Sequence, residues 1–172
     1  DKRLIIIFNC EPFRLDADLE PNESAHFAPP HRNIGYCLNL GRRLAGDVTW
    51  FKFDDDDFYG DRYIEDAMNF YRQTQADLVG RQSVYFYMDG ENATYWRRSV
   101  GDRDVALLPT SAFVSGATLG GAAGANLPPF SNRGRNSVDS DWVKALHAAG
   151  RSVFSLDSIS MIAFRSARAH DH

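Results

Sequence analysis

The sequence predicts an α/β domain: a mixed, mostly parallel sheet flanked by helices and interrupted by a β-hairpin. Three observations lead there. Short apolar runs rich in β-branched and aromatic residues alternate with segments of helical periodicity. Two aromatic-rich runs, Ser83 to Met88 and Ala93 to Arg98, flank the turn-rich tetrad Asp89-Gly90-Glu91-Asn92. At 172 residues, with 44% hydrophobic and 24% charged residues, the chain has the size and composition of one globular domain with a proper core.

Taken in order, Leu4 to Phe8 is a continuous apolar run, the pattern of a strand buried on both faces. Asn9 to Arg32 holds Pro12, Pro21, Pro29 and Pro30 without periodicity and reads as a long loop. A helix follows from Asn33 to Ala45, with Ile34, Cys37, Leu38 and Leu44 on its inner face and Gly46 placed to end it. Val48 to Phe53 reads as a short buried strand that runs into four carboxylates, Asp54 to Asp57, before Phe58 and Tyr59. If the extended backbone continues, Asp54 and Asp56 share one face, and Asp55 and Asp57 the other. Gly60 to Gln75 is the clearest helix, with Tyr63, Ile64, Ala67, Met68 and Tyr71 forming one apolar stripe. Leu78-Val79 is a short strand stopped by Gly80. The hairpin follows, with Tyr85, Phe86, Tyr87, Tyr95 and Trp96 as its core. Phe113 to Gly124 is small and glycine-rich, and Asn126 to Arg135 is a loop around Pro128-Pro129. Asp139 to Ala149 reads as a helix with Trp142, Val143 and Leu146 inward, closed by Gly150. Ser152 to Leu156 and Ile159 to Phe164 are the last two strands.

The bulk properties narrow the function classes. A net charge of −4 argues against a nucleic-acid binder, which would carry a basic face. No apolar run approaches the roughly 20 residues that span a bilayer. Cys10 and Cys37 lack a CxxC partner and read as reduced thiols of a cytoplasmic protein. The missing initiator Met, and a start almost directly on a strand, suggest a fragment or trimmed chain.

Chemistry concentrates at the acidic run. Adjacent carboxylates repel unless a cation sits among them. Mg²⁺ or Mn²⁺ takes one or two carboxylates plus substrate phosphates, and the carboxyl end of a strand is where α/β sheets bind ligands. A solvated acidic turn is the plain alternative. The flanking Phe51, Phe53, Phe58 and Tyr59 favour a metal site, with Asp56 the first-choice ligand and Asp54 close behind. Asp139, at a helix start, is a candidate general base or a simple N-cap. The helix dipole lowers its basicity, and burial beside Trp142 raises it. The segment Ser115 to Gly124 either lets a sugar or phosphate approach bare backbone or packs tightly against a helix. Arg133 and Arg135 could clamp a diphosphate or an acidic acceptor. His147 reads as structural, and His26 and His31 suggest no geometry. His170 and His172 end the chain, as metal ligands or as a frayed terminus.

Over residues 32 to 172 this series resembles a GT-A glycosyltransferase of the family 2 type. Asp54-Asp55-Asp56-Asp57-Phe58-Tyr59 resembles that fold's DxD signature followed by an aromatic pair and a helix. Asn33-Ile-Gly35 and Asn39-Leu-Gly41 resemble the segment lining the nucleotide pocket, and Asp77-Leu-Val-Gly80 resembles the strand closing the nucleotide half. Ser115-Gly116-Ala117-Thr118-Leu119 resembles the loop under the donor sugar. Val138-Asp139-Ser140-Asp141-Trp142 resembles the segment whose Asp is the base in inverting members, although Val138 stands where the family has Glu, so Asp139 and Asp141 both remain candidates. Arg165 to His172 resembles an Arg…His ending whose His completes the metal shell. The resemblance implies a Rossmann-like GT-A fold and metal-dependent, inverting transfer from a nucleotide-diphosphate sugar. The acceptor would be a glycan or a lipid-linked sugar, as in bacterial polysaccharide assembly, with the protein cytoplasmic or peripheral at a membrane. It places Asn33, Asn39, Asp54, Asp55, Gly116 and Arg133 at the donor, Asp54, Asp56 and His172 at Mn²⁺ or Mg²⁺, and Asp139 or Asp141 at the acceptor hydroxyl. The amino-terminal part is short for that fold. A non-catalytic nucleotide-sugar or glycan-binding module of a larger protein is the alternative, and a metal-dependent phosphohydrolase a third.

Overall fold

The computed structural model describes residues 2–15, 18–98, 105–108, 112, 114–132 and 138–166. In chain order these form β1 (Leu4–Phe8), β2 (Glu23–Phe27), α1 (Ile34–Ala45), β3 (Trp50–Phe51), β4 (Phe58–Tyr59), α2 (Tyr63–Thr74), β5 (Leu78–Arg81), β6 (Val84–Met88), β7 (Ala93–Arg97), β8 (Ala106–Leu107), β9 (Gly120–Gly121), α3 (Val138–Ala148), β10 (Val153–Leu156) and β11 (Met161–Arg165). Three sheets result among the described residues, ordered β1-β2, β3-β9-β5-β10-β8 and β4-β11-β6-β7.

The domain is mixed α/β, as expected, but the sheets are not mostly parallel. Only β1–β2, β5–β10 and β6–β11 pair in parallel, and the other five pairings are antiparallel. The reason is local. Four of the five antiparallel pairings involve the two-residue strands β3, β4, β8 and β9, whereas the parallel pairs join strands of four or five residues. The hairpin stands where it was expected, β6 and β7 in antiparallel register around a 3₁₀ turn at Asp89–Glu91.

The central sheet is covered on both sides, and alternation along its strands shows how. Leu78, Trp50 and Val153 face α3, where Val138, Trp142, Val143 and Leu146 are buried, while Val79, Phe51 and Phe154 face Ala67 and Tyr71 of α2. A strand apolar at consecutive positions therefore has a helix against each face. That is why Leu78-Val79 reads as unbroken. The strand does not stop at Gly80 but continues through Arg81, with Val114 filling the space beside the glycine.

Several expectations need correction. β1 is half-buried rather than buried on both faces, since its one sheet partner is β2. β2 itself lies inside the segment expected to be a loop, because Glu23–Phe27 finds a parallel partner that no local signal announces. Ile34 is 47% exposed, so the inner face of α1 is carried by Cys37 and Leu38 instead. Tyr95 and Trp96 are exposed on β7, an edge strand, and are not hairpin core. No helix among the described residues is long and apolar enough to cross a membrane.

α1 is fastened to the loop that precedes α3. The Asn39 carboxamide donates to Phe130 O (2.9 Å) and accepts from Phe130 N (2.9 Å), and Arg42 donates to the carbonyls of Leu127 and Pro128. Gly35 lies against the same loop, where a Cβ would come 2.0 Å from Ser131 O. Helix propensity alone would favour Gly35→Ala by about 1 kcal/mol. Overlap with a backbone carbonyl costs about 3 kcal/mol. A net loss of about 2 kcal/mol is therefore expected, read as a lower urea midpoint at unchanged slope.

Candidate functional site

The acidic run does not stay extended. β3 ends at Phe51, and Asp55 and Asp56 form a turn closed by the Asp57 N–H on Asp54 O at 3.4 Å. The expected sharing of a face by Asp54 and Asp56 is overturned by that turn, which separates the four carboxylates. Asp54 faces Lys52, Asp55 is exposed, Asp56 lies 4.0 Å from Arg165, and the Asp57 side chain is 1% exposed beneath the loop.

The arm bearing Asp54 is built like the end of a strand. Lys52 N donates to Leu119 O (2.8 Å), prolonging the β3–β9 pairing by one bond. Lys52 and Asp54 then stand two residues apart on one face. The Lys52 ammonium, 8% exposed, donates to Asp54 Oδ1. Tyr59 pins the turn from behind: its hydroxyl accepts from Asp54 N (2.9 Å) and donates to Ala117 O (2.9 Å). Burial and the neighbouring carboxylates push its pKa far up, so it stays a neutral donor.

Asp139 reaches the same place from the first turn of α3. A Cβ on Gly116 would lie 1.9 Å from Asp139 Oδ2, so the carboxylate is seated against the bare glycine. Asp139 Oδ1 is buried and has no hydrogen-bond partner among the described residues. Burial raises the Asp139 pKa, Lys52 opposes that rise, and Asp54 adds to it. Burial, the influence expected to raise it, is the largest of these three. Lys52 is paired with Asp54, and both act on the charge of Asp139, which is seated against Gly116. Asp141 lies elsewhere: it is exposed and pairs with Lys144 at 3.3 Å on the solvent side of α3.

The remaining candidates separate in the same plain way. Asn33 caps α1, its side chain accepting from Tyr36 N at 3.0 Å, and Asn39 is occupied by Phe130. Arg133, Arg135, His170 and His172 lie outside the described residues. Gly120 and Gly121 of the glycine-rich segment sit beneath the Phe51 and Trp50 rings, which accounts for that pair by packing alone. A shallow groove lined by Arg62, Asp66, Phe70 and Asp157 includes no residue of the cluster. No family model matches the sequence. A comparison with curated proteins returns no match either.

Among the described residues no three His, Cys, Asp or Glu side chains converge as a metal-binding group. Asp54 Oδ2 takes no hydrogen bond among the described residues and Asp55 and Asp56 are exposed, so the turn offers separate carboxylate oxygens rather than a shared pair of ligands. Sequence reasoning passed over Lys52. The signal was present, because a cation two residues before a carboxylate at a strand end shares its face. Lys52→Met would leave the Asp54 carboxylate without its ion-pair partner. A loss of about 1–3 kcal/mol is expected, discounted for the partial exposure of Asp54. Denaturant midpoints at pH 7 check it.

Proposed function

We propose that this chain carries the catalytic core of a GT-A-type, family 2-like glycosyltransferase, moving a sugar from a nucleotide-diphosphate donor to a glycan or lipid-linked acceptor with inversion. The observation that carries this reading is the Asp139 carboxylate, buried against Gly116 with Oδ1 unpartnered among the described residues and within the electrostatic influence of Lys52 and Asp54. An acceptor hydroxyl has a high pKa and must lose its proton as it attacks. A carboxylate held out of water, with one oxygen free of protein partners and a raised pKa, suits that task. Gly116 leaves room beside it, and the Lys52 ammonium holds Asp54 in place.

Mn²⁺ or Mg²⁺ held by Asp54 together with the donor's own phosphates would act as a Lewis acid on the departing diphosphate. Asp139 is left out of that set because a carboxylate occupied by a metal cannot accept the acceptor's proton. Asp54 binds on the donor side, its position fixed by Lys52 and Tyr59.

The test is release of nucleoside diphosphate across a panel of nucleotide sugars with Mn²⁺, comparing the parent protein with Asp139→Asn. Turnover that Asp139→Asn abolishes supports transfer. Metal-dependent donor binding without turnover in the parent favours the binding module instead.

A further inference from the structure

Across the acidic turn from Lys52 lies a cationic patch that the catalytic reading leaves unused. Arg97 of β7 pairs with Val84, and Arg165 of β11 with Met88, each two residues from Phe86 on β6. Period-two alternation puts both arginines on the Phe86 face of the sheet. Their guanidinium carbons lie over the Phe86 ring, at 4.8 Å for Arg97 and 5.1 Å for Arg165. Tyr95 pairs directly with Phe86 on that face and is 50% exposed, its hydroxyl donating to Glu91.

The two cations are not equally satisfied. Arg165 donates to Asp57 Oδ1 at 3.3 Å and lies 4.0 Å from Asp56 Oδ2. Arg97 makes no hydrogen bond or ion pair among the described residues beyond its place on the ring. Burial pushes the Arg97 pKa down and the charge on Arg165 pushes it the same way, yet a guanidinium stays protonated throughout the working range. Two like charges share one ring, and one of them lacks an anion. A phosphate or carboxylate arriving there would meet a planar donor fork that matches it two bonds at a time. The Tyr95 ring beside the fork offers an amphipathic face of the kind a sugar ring covers.

We infer that Arg97, with Arg165 and Tyr95, forms the subsite for an acceptor sugar bearing a phosphate or carboxylate group. The patch belongs to the same turn as the catalytic cluster, since Asp57, which holds Arg165, closes its backbone on Asp54 O. The word acceptor rests on the glycosyl-transfer reading, whereas the binding itself needs no donor.

The experiment titrates the protein, without nucleotide, with glucose 6-phosphate, glucuronate, glucose and inorganic phosphate, read by calorimetry or by chemical shifts. At least one charged sugar is expected to bind roughly tenfold or more tightly than glucose. Arg97→Gln is expected to weaken that binding by roughly tenfold, and Arg72→Gln on α2 to leave it unchanged. Arg97 is exposed, so the variant should keep the parent's circular dichroism. Equal binding of glucose, an Arg97→Gln protein that binds like the parent, or no binding of either charged sugar would overturn the subsite. Inorganic phosphate binding as tightly as glucose 6-phosphate would overturn its assignment to a sugar. Should charged-sugar binding persist while every transfer assay fails, the glycosyl-transfer reading falls and the anionic-sugar site stands.

Discussion

Asp139→Asn is expected to lower sugar transfer by roughly 10²–10⁴-fold, the usual contribution of a positioned general base, while donor affinity holds. The substitution keeps shape and removes the carboxylate's charge and with it the ability to accept a proton. Stability should move the opposite way. A carboxyl whose pKa is raised by burial holds its proton more tightly in the folded chain than in the unfolded one. Its favourable contribution is complete below the ordinary aspartate value near 4 and is lost as pH rises through the folded value. At neutral pH the parent therefore bears the cost of an ionised, buried Asp139, and the neutral Asn does not. The variant should melt at a higher temperature than the parent at pH 7, with the gap closing as pH falls toward about 4. Normal turnover by Asp139→Asn would remove Asp139 as the base. A melting gap that widens on acidification would contradict the burial on which its basicity depends.

What the sequence made legible follows from how local each signal is. α2 was readable because five apolar residues repeat at helical spacing, and three of them, Tyr63, Ala67 and Tyr71, are buried against the sheets. The hairpin was readable because its turn residues lie between two aromatic runs. β2 was not, because its partner lies far back in the sequence and Glu-Ser-Ala-His-Phe carries no strand periodicity. The parallel bias failed for a related reason: an alternating pattern of strands and helices does not register two-residue strands such as β9, whose glycines have no side-chain pattern at all. At the site, composition located the acidic run and the start of α3 correctly. What it could not foresee was the turn that sends Asp54 to Lys52 on one side and Asp56 and Asp57 toward Arg165 on the other, with Asp55 exposed. That division depends on a strand ending two residues earlier than its apolar run.

Gly116→Ala separates position from charge at the same carboxylate, and its effect on transfer should approach that of losing the base. The backbone at Gly116 is not in the left-handed region, so alanine is conformationally acceptable, and the objection is one of space alone. The added methyl would lie 1.9 Å from Asp139 Oδ2, 2.5 Å from Cγ and 2.8 Å from Cβ. One partner must move. The 3₁₀ turn at Gly116–Thr118 is held on both sides, by Tyr59 on Ala117 O and by the Thr118 hydroxyl, which donates to Ser115 O and accepts from Arg81 N. The Asp139 side chain is bound by no comparable contact at Oδ1, so it should yield first and swing out of the cluster. A displacement of about 1 Å in a reacting group costs on the order of 10²-fold in rate, and overpacking of this kind costs about 1–3 kcal/mol in stability. The double variant Gly116→Ala with Asp139→Asn decides the cause. If the methyl acts through the carboxylate, adding it to Asp139→Asn should remove little further activity, a strong departure from additivity between touching residues. Two independent losses that multiply would mean that Gly116 serves the reaction by some route other than making room for Asp139.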